Sequence, residues 1–175
     1  MAEQAATEDL GFSPQALRAK YREERDKRLR ADGNEQYFEV NGDFSHYVDD
    51  PYIDSPLQRE PLFDEVDVIV VGGGFGGLLT GARLTEAGIG RIRIIEKGGD
   101  FGGTWYWNRY PGAACDVESY VYLPLCEELN FVPKEKYTHA PEILAHSRAI
   151  GEKFNLYDYA CFQTEVEVLG GKPPR

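Results

Sequence analysis

Cysteine is scarce and carries no pairing pattern. Cys115, Cys126 and Cys161 form no C-x-x-C pair and leave an odd number, which argues against a disulfide framework as the basis of the fold. Histidine is as rare. His139 and His146 lie seven apart on an expected helix, but no cysteine or carboxylate completes a ligand set at a recognised spacing, so no metal site is expected. No apolar run approaches the roughly 20 residues that span a bilayer, and the N-terminus lacks the basic and apolar regions of a secretory signal. A cytoplasmic location is the resulting expectation. Positive charge is in deficit, 19 Lys and Arg against 30 Asp and Glu, and the net charge of -11 argues against partners that carry phosphate along a chain or on a membrane surface. No internal repeat or low-complexity tract is visible, and 175 residues suffice for one domain with a modest core.

Glycine, by contrast, is abundant and patterned. Val66-Asp67-Val68-Ile69-Val70-Val71 is a β-branched apolar run that passes directly into Gly72-Gly73-Gly74-Phe75-Gly76-Gly77. Gly72, Gly74 and Gly77 stand at the G-x-G-x-x-G spacing: the first permits a tight turn, the second lets backbone approach a pyrophosphate, and the third lets the following helix pack on the strand. A helix N-terminus then offers free N–H groups to the anion. Leu78 to Ala87 carries apolar residues at helical spacing, and Gly88 supplies the stop. Ile92-Arg93-Ile94-Ile95 reads as a second strand ending in Glu96, nineteen positions after Gly77, where a dinucleotide fold places the acid that binds the adenosine ribose. A carboxylate there disfavours a 2′-phosphate, so FAD or NAD is preferred to NADP at this first site. A βαβ unit is therefore expected over about residues 66–95.

Before it, residues 1 to about 11 are acidic and small and are expected to be disordered. Ser13-Pro14 opens a charged helix over about residues 14–30, supported by Glu23 with Lys27 and Glu24 with Arg28 at i,i+4. Residues 35–61 are aromatic and turn-rich and read as an extended arm packed across the domain. The composition divides the chain into an N-terminal arm, 1–62, and a partial nucleotide-binding domain, 63–175. Beyond Glu96, Gly98 to Gly112 combines glycines with two Trp and two Tyr around Arg109, a composition able to wall a flat ring system. Asp116, beside these aromatics, is a candidate buried, hydrogen-bonding carboxylate. A helix at residues 141–154 and a strand at 164–169 complete the expected elements.

The segment from Val68 to Tyr122, with its glycine fingerprint, Glu96, Gly-Gly-Thr-Trp-Tyr-Trp-Asn-Arg-Tyr-Pro-Gly and Cys-Asp-x-Glu-Ser, resembles the N-terminal FAD-binding part of the Baeyer–Villiger monooxygenases. The resemblance extends to about Leu169, and the arm before it is similar to that of the larger members. It implies FAD with its pyrophosphate over Gly72, Gly74, Phe75, Gly76 and Gly77, and its ribose on Glu96. It implies flavin contacts from Thr104, Trp105, Tyr106, Trp107, Asp116 and Tyr122, with Ala114, Cys115 and Asp116 at the edge of an NADP(H) site. Asp116 is the one catalytic residue implied. The family reaction reduces the flavin with NADPH, forms a peroxyflavin with oxygen, and inserts one oxygen atom beside a ketone carbonyl to give an ester or lactone. An enclosed aromatic wall with fixed polar groups suits that chemistry.

After Leu169 the sequence shows no second glycine fingerprint, no Phe-x-Gly-x-x-x-His-x-x-x-Trp-Pro signature and no later arginine of the kind the family uses. The expected fold is thus an α/β, Rossmann-like FAD-binding βαβ with an incomplete parallel sheet, preceded by a helical and extended arm. Two functions compete: the FAD-binding portion of a Baeyer–Villiger-type monooxygenase, with a missing C-terminal half as possible partner, and a truncated, non-catalytic flavin-binding or interaction module lacking the NADPH domain.

Overall fold

The computed structural model describes residues 11–38 and 40–171, and the chain forms two compact units, Met1–Asp49 and Asp50–Arg175. The disorder expected over residues 1 to about 11 lies, but for Gly11, outside the described residues. In the first unit, α1 (Pro14–Asp26) starts as its sequence dictates: Ser13 Oγ accepts the Ala16 N–H at 3.2 Å and Pro14 sits at the first helical position. The pairs Glu23–Lys27 (3.2 Å) and Glu24–Arg28 (3.8 Å) form on its surface. α1 ends at Asp26 rather than near Arg30, because Arg28 folds back to donate to the Glu24 carbonyl at 2.8 Å and satisfies a terminal acceptor. The following stretch is not extended as expected. It forms 3-10 turns at Gly33–Gln36 and Gly42–Val48, each opened by an Asp or Asn and a left-handed glycine, while Phe38, Phe44 and Tyr47 are exposed.

The second unit contains the βαβ. β1 (Val68–Val71), α2 (Phe75–Glu86) and β2 (Ile92–Ile95) follow in order, and β1 and β2 pair in parallel with Val68 opposite Ile92 and Val71 opposite Ile95. A short strand, β3 (Ala160–Cys161), adds in parallel to β2, giving the order β1-β2-β3. The expected strand at residues 164–169 is absent. The 3-10 turn Leu156–Tyr159 delivers the chain to the sheet earlier, and Val168 and Leu169 have no neighbouring layer to bury them, being 84% and 73% exposed. α3 (Thr104–Trp107) and α4 (Ser119–Tyr122) are single turns. α5 (Ala140–Lys153) begins with Pro141 in its first turn and buries Ile143, Ser147 and Ile150, the i, i+4, i+7 face of an amphipathic helix.

One face of the sheet forms the core. Val70 and Ile94 pack with Leu78 and Ala82 of α2, Ile150 of α5, Phe101, Leu125 and Leu156. Each fully buried Leu or Ile contributes roughly 1.5–3 kcal/mol. A second cluster joins Trp105, Tyr106, Ala113, Cys115, Leu123, Ile143 and Leu144. On the opposite sheet face the β1 residues are uncovered, Ile69 and Val71 being 53% and 57% exposed, while Arg93 and Ile95 of β2 are half-buried. Parallel sheets are ordinarily covered on both faces, so this one is incomplete, as the sequence predicts. The division between units falls at Asp49 because residues 50–59 belong with the sheet: Leu57 N–H donates to Gln163 Oε1 (2.6 Å) and Arg59 to Thr164 Oγ1 (3.1 Å). Among the described residues no helix is long and apolar enough to cross a membrane.

Candidate dinucleotide-binding site

β1 ends at Val71 and α2 begins at Phe75, so the glycine turn occupies the gap between strand and helix that the fingerprint requires. Gly72 has φ +98°, a conformation that disfavours any side chain. A Cβ on Gly77 would lie 1.9 Å from the Gly72 carbonyl oxygen, so only glycine lets the first turn of α2 sit this close to the strand end. Gly74 caps α2 and provides no side chain to satisfy the first-turn N–H groups. It also faces Gly103, where a Cβ would fall 2.7 Å from Gly74 Cα, and Gly102 N–H donates to the Gly73 carbonyl at 3.0 Å. The loop after β2 is thereby brought back against the glycine turn.

Glu96 makes the same connection through its side chain. Its carboxylate is buried, with Oε2 accepting the Gly73 N–H at 2.5 Å and Oε1 accepting the Gly98 N–H at 2.6 Å. The acid at the end of β2 thus stitches the turn to the loop, and each oxygen keeps a further lone pair for a hydroxyl.

The aromatic residues gather at the start of α2. Trp105 Nε1 donates to the Tyr122 hydroxyl at 2.9 Å, and Tyr122 meets Phe75 edge-on at 5.5 Å and Trp105 at 5.9 Å. Trp107 stands edge-on to Tyr106 at 5.1 Å, and Thr104 opens the turn of α3 beside Gly103. Tyr106 is buried, and burial first, then its hydrogen bond to Asp50, pushes its phenol up to about 12, so it stays a neutral donor. A cleft of about 410 Å³ lies beside this loop, lined by Trp105, Arg109, Tyr110, Ala113, His139 and Leu144 among others. It flanks the aromatic loop and does not cover the glycine turn.

The segment Ala114 to Asp116 behaves differently. Ala114 bridges antiparallel to His139, and Cys115 N–H donates to the Thr138 carbonyl at 3.0 Å. Cys115 is buried against Ser119, whose hydroxyl also meets Thr138 and the Lys136 carbonyl. Asp116 is exposed and makes no side-chain hydrogen bond to the described residues, which corrects the expectation of a buried carboxylate. The reason is local: Cys115 and Ser119 turn inward, and the residues between them are left on the outer side.

Several polar groups escaped the sequence reading. Asp100 accepts from Arg148 Nε at 2.7 Å and from the Tyr157 hydroxyl at 2.9 Å, joining the loop to α5 and to the turn before β3. Asp50 and Tyr52, read only as turn and arm residues, hold the aromatic loop. His146 is buried beside Phe131, and its Nε2 donates to the Pro124 carbonyl at 2.7 Å while Nδ1 has no partner. Burial lowers its affinity for a proton. Its place between Ile143 and Ile150 on the apolar stripe was the available signal. Among the described residues no group of three or more His, Cys, Asp or Glu is placed to hold a metal ion.

This geometry has close counterparts. Residues 70–130 match the model of an NAD(P)-binding Rossmann-like domain family. The chain is 57% identical to the neopentalenolactone D synthase of Streptomyces avermitilis over 156 residues, 89% of this chain and 26% of that protein. It is 50% identical to the Baeyer–Villiger monooxygenase ATR8 of Stachybotrys chlorohalonatus over 165 residues, 94% of this chain and 26% of that one. Among solved structures, the polycyclic ketone monooxygenase of Thermothelomyces thermophila superposes with a TM-score of 0.73 at 40% identity, covering 85% of this chain and 25% of that one. The chain therefore spans about a quarter of the length of the curated relatives it matches. Identity of this order over nearly the whole chain, on a shared fold, places it in the Baeyer–Villiger monooxygenase family, as the counterpart of its FAD-binding N-terminal part.

Proposed function

We propose that this chain is the FAD-binding portion of a flavin monooxygenase that uses NADPH and oxygen to insert an oxygen atom beside a ketone carbonyl, giving an ester or lactone. The observation that carries the reading is the glycine turn itself. The close approach of α2 to the strand end that Gly77 allows, the left-handed Gly72 and the uncapped start of α2 together fit a pyrophosphate, whose charge the helix N-terminus favours. Glu96 keeps acceptor capacity for the ribose hydroxyls, and among the described residues no basic side chain is bonded to it that would welcome a 2′-phosphate. Thr104, Trp105, Tyr106, Trp107 and Tyr122 are assigned to the flavin wall, and Ala114, Cys115 and Asp116 to the edge of the NADP(H) site. FAD, when bound, supplies the electron-transfer and oxygen chemistry. The chain's own residues bind it, orient it and exclude water: buried Trp105 and Tyr106 present an apolar wall whose polar tips are already satisfied. Exposed Asp116 is free to meet a nicotinamide amide.

The experiment is amide exchange of residues 1–175 with and without FAD. Slower exchange at Gly73–Leu78 and at Gly98 is expected, with weak affinity and no flavin absorbance retained after desalting, because the second face of the sheet contributes no wall. Unchanged exchange in those segments at saturating FAD refutes the reading. The bare face at Ile69 and Val71 favours the second reading, an interaction module, and that reading alone stands if FAD never binds.

A further inference from the structure

We propose that residues 50–59 form a strap that sets the conformation of the aromatic loop 98–109, with Asp50 and Tyr52 as positioning residues for its cofactor-facing side. The cofactor half of this statement rests on the FAD reading above, and the strap half does not.

The loop cannot hold itself. It contains Gly98, Gly99, Gly102 and Gly103, the last two at φ +139° and +52°, and its only regular element is the four-residue α3. Glycines lose the most backbone freedom on ordering, and an isolated helical turn is unstable in water. Its inner side is fixed by the core, where Gly102 comes so near Leu144 that a Cβ would lie 2.6 Å from Cδ1. Its outer side is fixed by the strap.

Asp50 is the first clamp. One carboxylate oxygen accepts both the Gly99 N–H (2.9 Å) and the Tyr106 hydroxyl (2.5 Å), and the other accepts the Tyr52 N–H (2.9 Å), which locks the carboxylate in place. One side chain therefore ties the start of the loop to its middle. Tyr52 is the second clamp. Its ring meets Tyr106 edge-on at 5.7 Å, its hydroxyl donates to the Trp107 carbonyl at 3.1 Å, and Arg109 lies 3.9 Å from its centroid and 4.6 Å from that of Tyr106. Arg109 also donates to the Tyr106 carbonyl at 2.8 Å. A cation held against two rings is a directional contact that a flexible loop does not make by chance. Ile53 completes the fit, since a Cβ on Gly99 would lie 2.4 Å from its Cγ2. The far end of the strap is anchored by Leu57 on Gln163 and Arg59 on Thr164. A loop ordered beforehand spares a ligand the cost of ordering it, which is how residues that never touch the ligand raise affinity.

Both tryptophans of the chain, Trp105 and Trp107, lie in α3, so their fluorescence reports on the loop alone. The test compares Asp50→Ala, Asp50→Asn, Tyr52→Ala and Tyr52→Phe with the parent, by acrylamide quenching and by amide exchange. In the alanine variants exchange at Gly99 and residues 105–108 is expected to quicken by about tenfold or more. Quenching rises with it, and exchange in β1, β2 and α2 does not change. Tyr52→Phe keeps the ring under Arg109 and is expected to restore quenching towards the parent. Parental exchange at Gly99 and 105–108 in both alanine variants overturns the strap, as does an equal acceleration throughout the sheet. If the alanine variants do not fold, Asp50→Asn decides: parental exchange at Gly99 overturns the proposal, and a local acceleration supports it. FAD-dependent protection of Gly73 is read in the same samples. Its absence in the parent refutes the FAD reading and leaves the strap result standing. Protection of equal strength in parent and Asp50→Ala overturns the positioning role.

Discussion

Replacing Gly77 by alanine tests the glycine turn without any ligand. The new Cβ would lie 1.9 Å from the Gly72 carbonyl oxygen, against 3.4 Å for an ordinary contact, and the obstructing atom is backbone. Either α2 must move off the strand or the turn must change, and overpacking of this kind costs about 1–3 kcal/mol. Alanine also favours helix over glycine by up to about 1 kcal/mol, which offsets part of the loss. Gly76→Ala supplies the control. Gly76 lies one position earlier in the same helix turn, and a Cβ there meets nothing within 4 Å, so it gains the helix preference without the clash. The difference between the two variants isolates the steric cost, about 1–3 kcal/mol, or roughly fivefold to 150-fold in the folding equilibrium. Urea unfolding followed by circular dichroism and by tryptophan emission measures it. Gly77→Ala should unfold at lower urea than the parent and Gly76→Ala at equal or higher urea. Equal stability of the two variants would refute the close approach of α2 to β1.

Glu96→Ala leaves the buried Gly73 and Gly98 N–H groups without their acceptor and should cost about 1–3 kcal/mol by urea unfolding, besides weakening any FAD-dependent protection. Ser119→Ala removes a buried hydroxyl that accepts the Thr138 N–H at 2.9 Å, with a similar expected loss of about 1–3 kcal/mol in the same assay. Asp116→Ala, at an exposed and unbonded position, should leave stability within about 0.5 kcal/mol, so any effect on nicotinamide binding would be a direct one. His146 gives a pH dependence. Burial lowers its pKa in the folded chain below the ordinary 6.5, so the unfolded chain takes up a proton first as pH falls. Stability should decline below about pH 6.5 and level off once the folded ring also protonates. The urea midpoint of the parent should therefore fall more between pH 7 and pH 5 than that of His146→Leu, and identical slopes would exclude the histidine as the cause.

The sequence by itself determined the parts that local rules govern. The β-branched run, the glycine spacing and Glu96 specify strand, turn, helix and strand in that order, because a continuous β-branched apolar run, a 3.6-residue period and a glycine spacing are each readable within a few residues. Ser13-Pro14 and Pro141 fixed two helix starts for the same reason. Tertiary structure decided what depends on neighbours far along the chain. Whether residues 164–169 become a strand depends on a layer to bury them, and the sheet took Ala160–Cys161 instead. Whether Asp116 is buried depends on which way Cys115 and Ser119 turn, and they turn inward to Thr138. The role of Asp50 and Tyr52 depends on a loop some fifty residues later reaching them, a pairing of charge, ring and backbone N–H that no local pattern encodes.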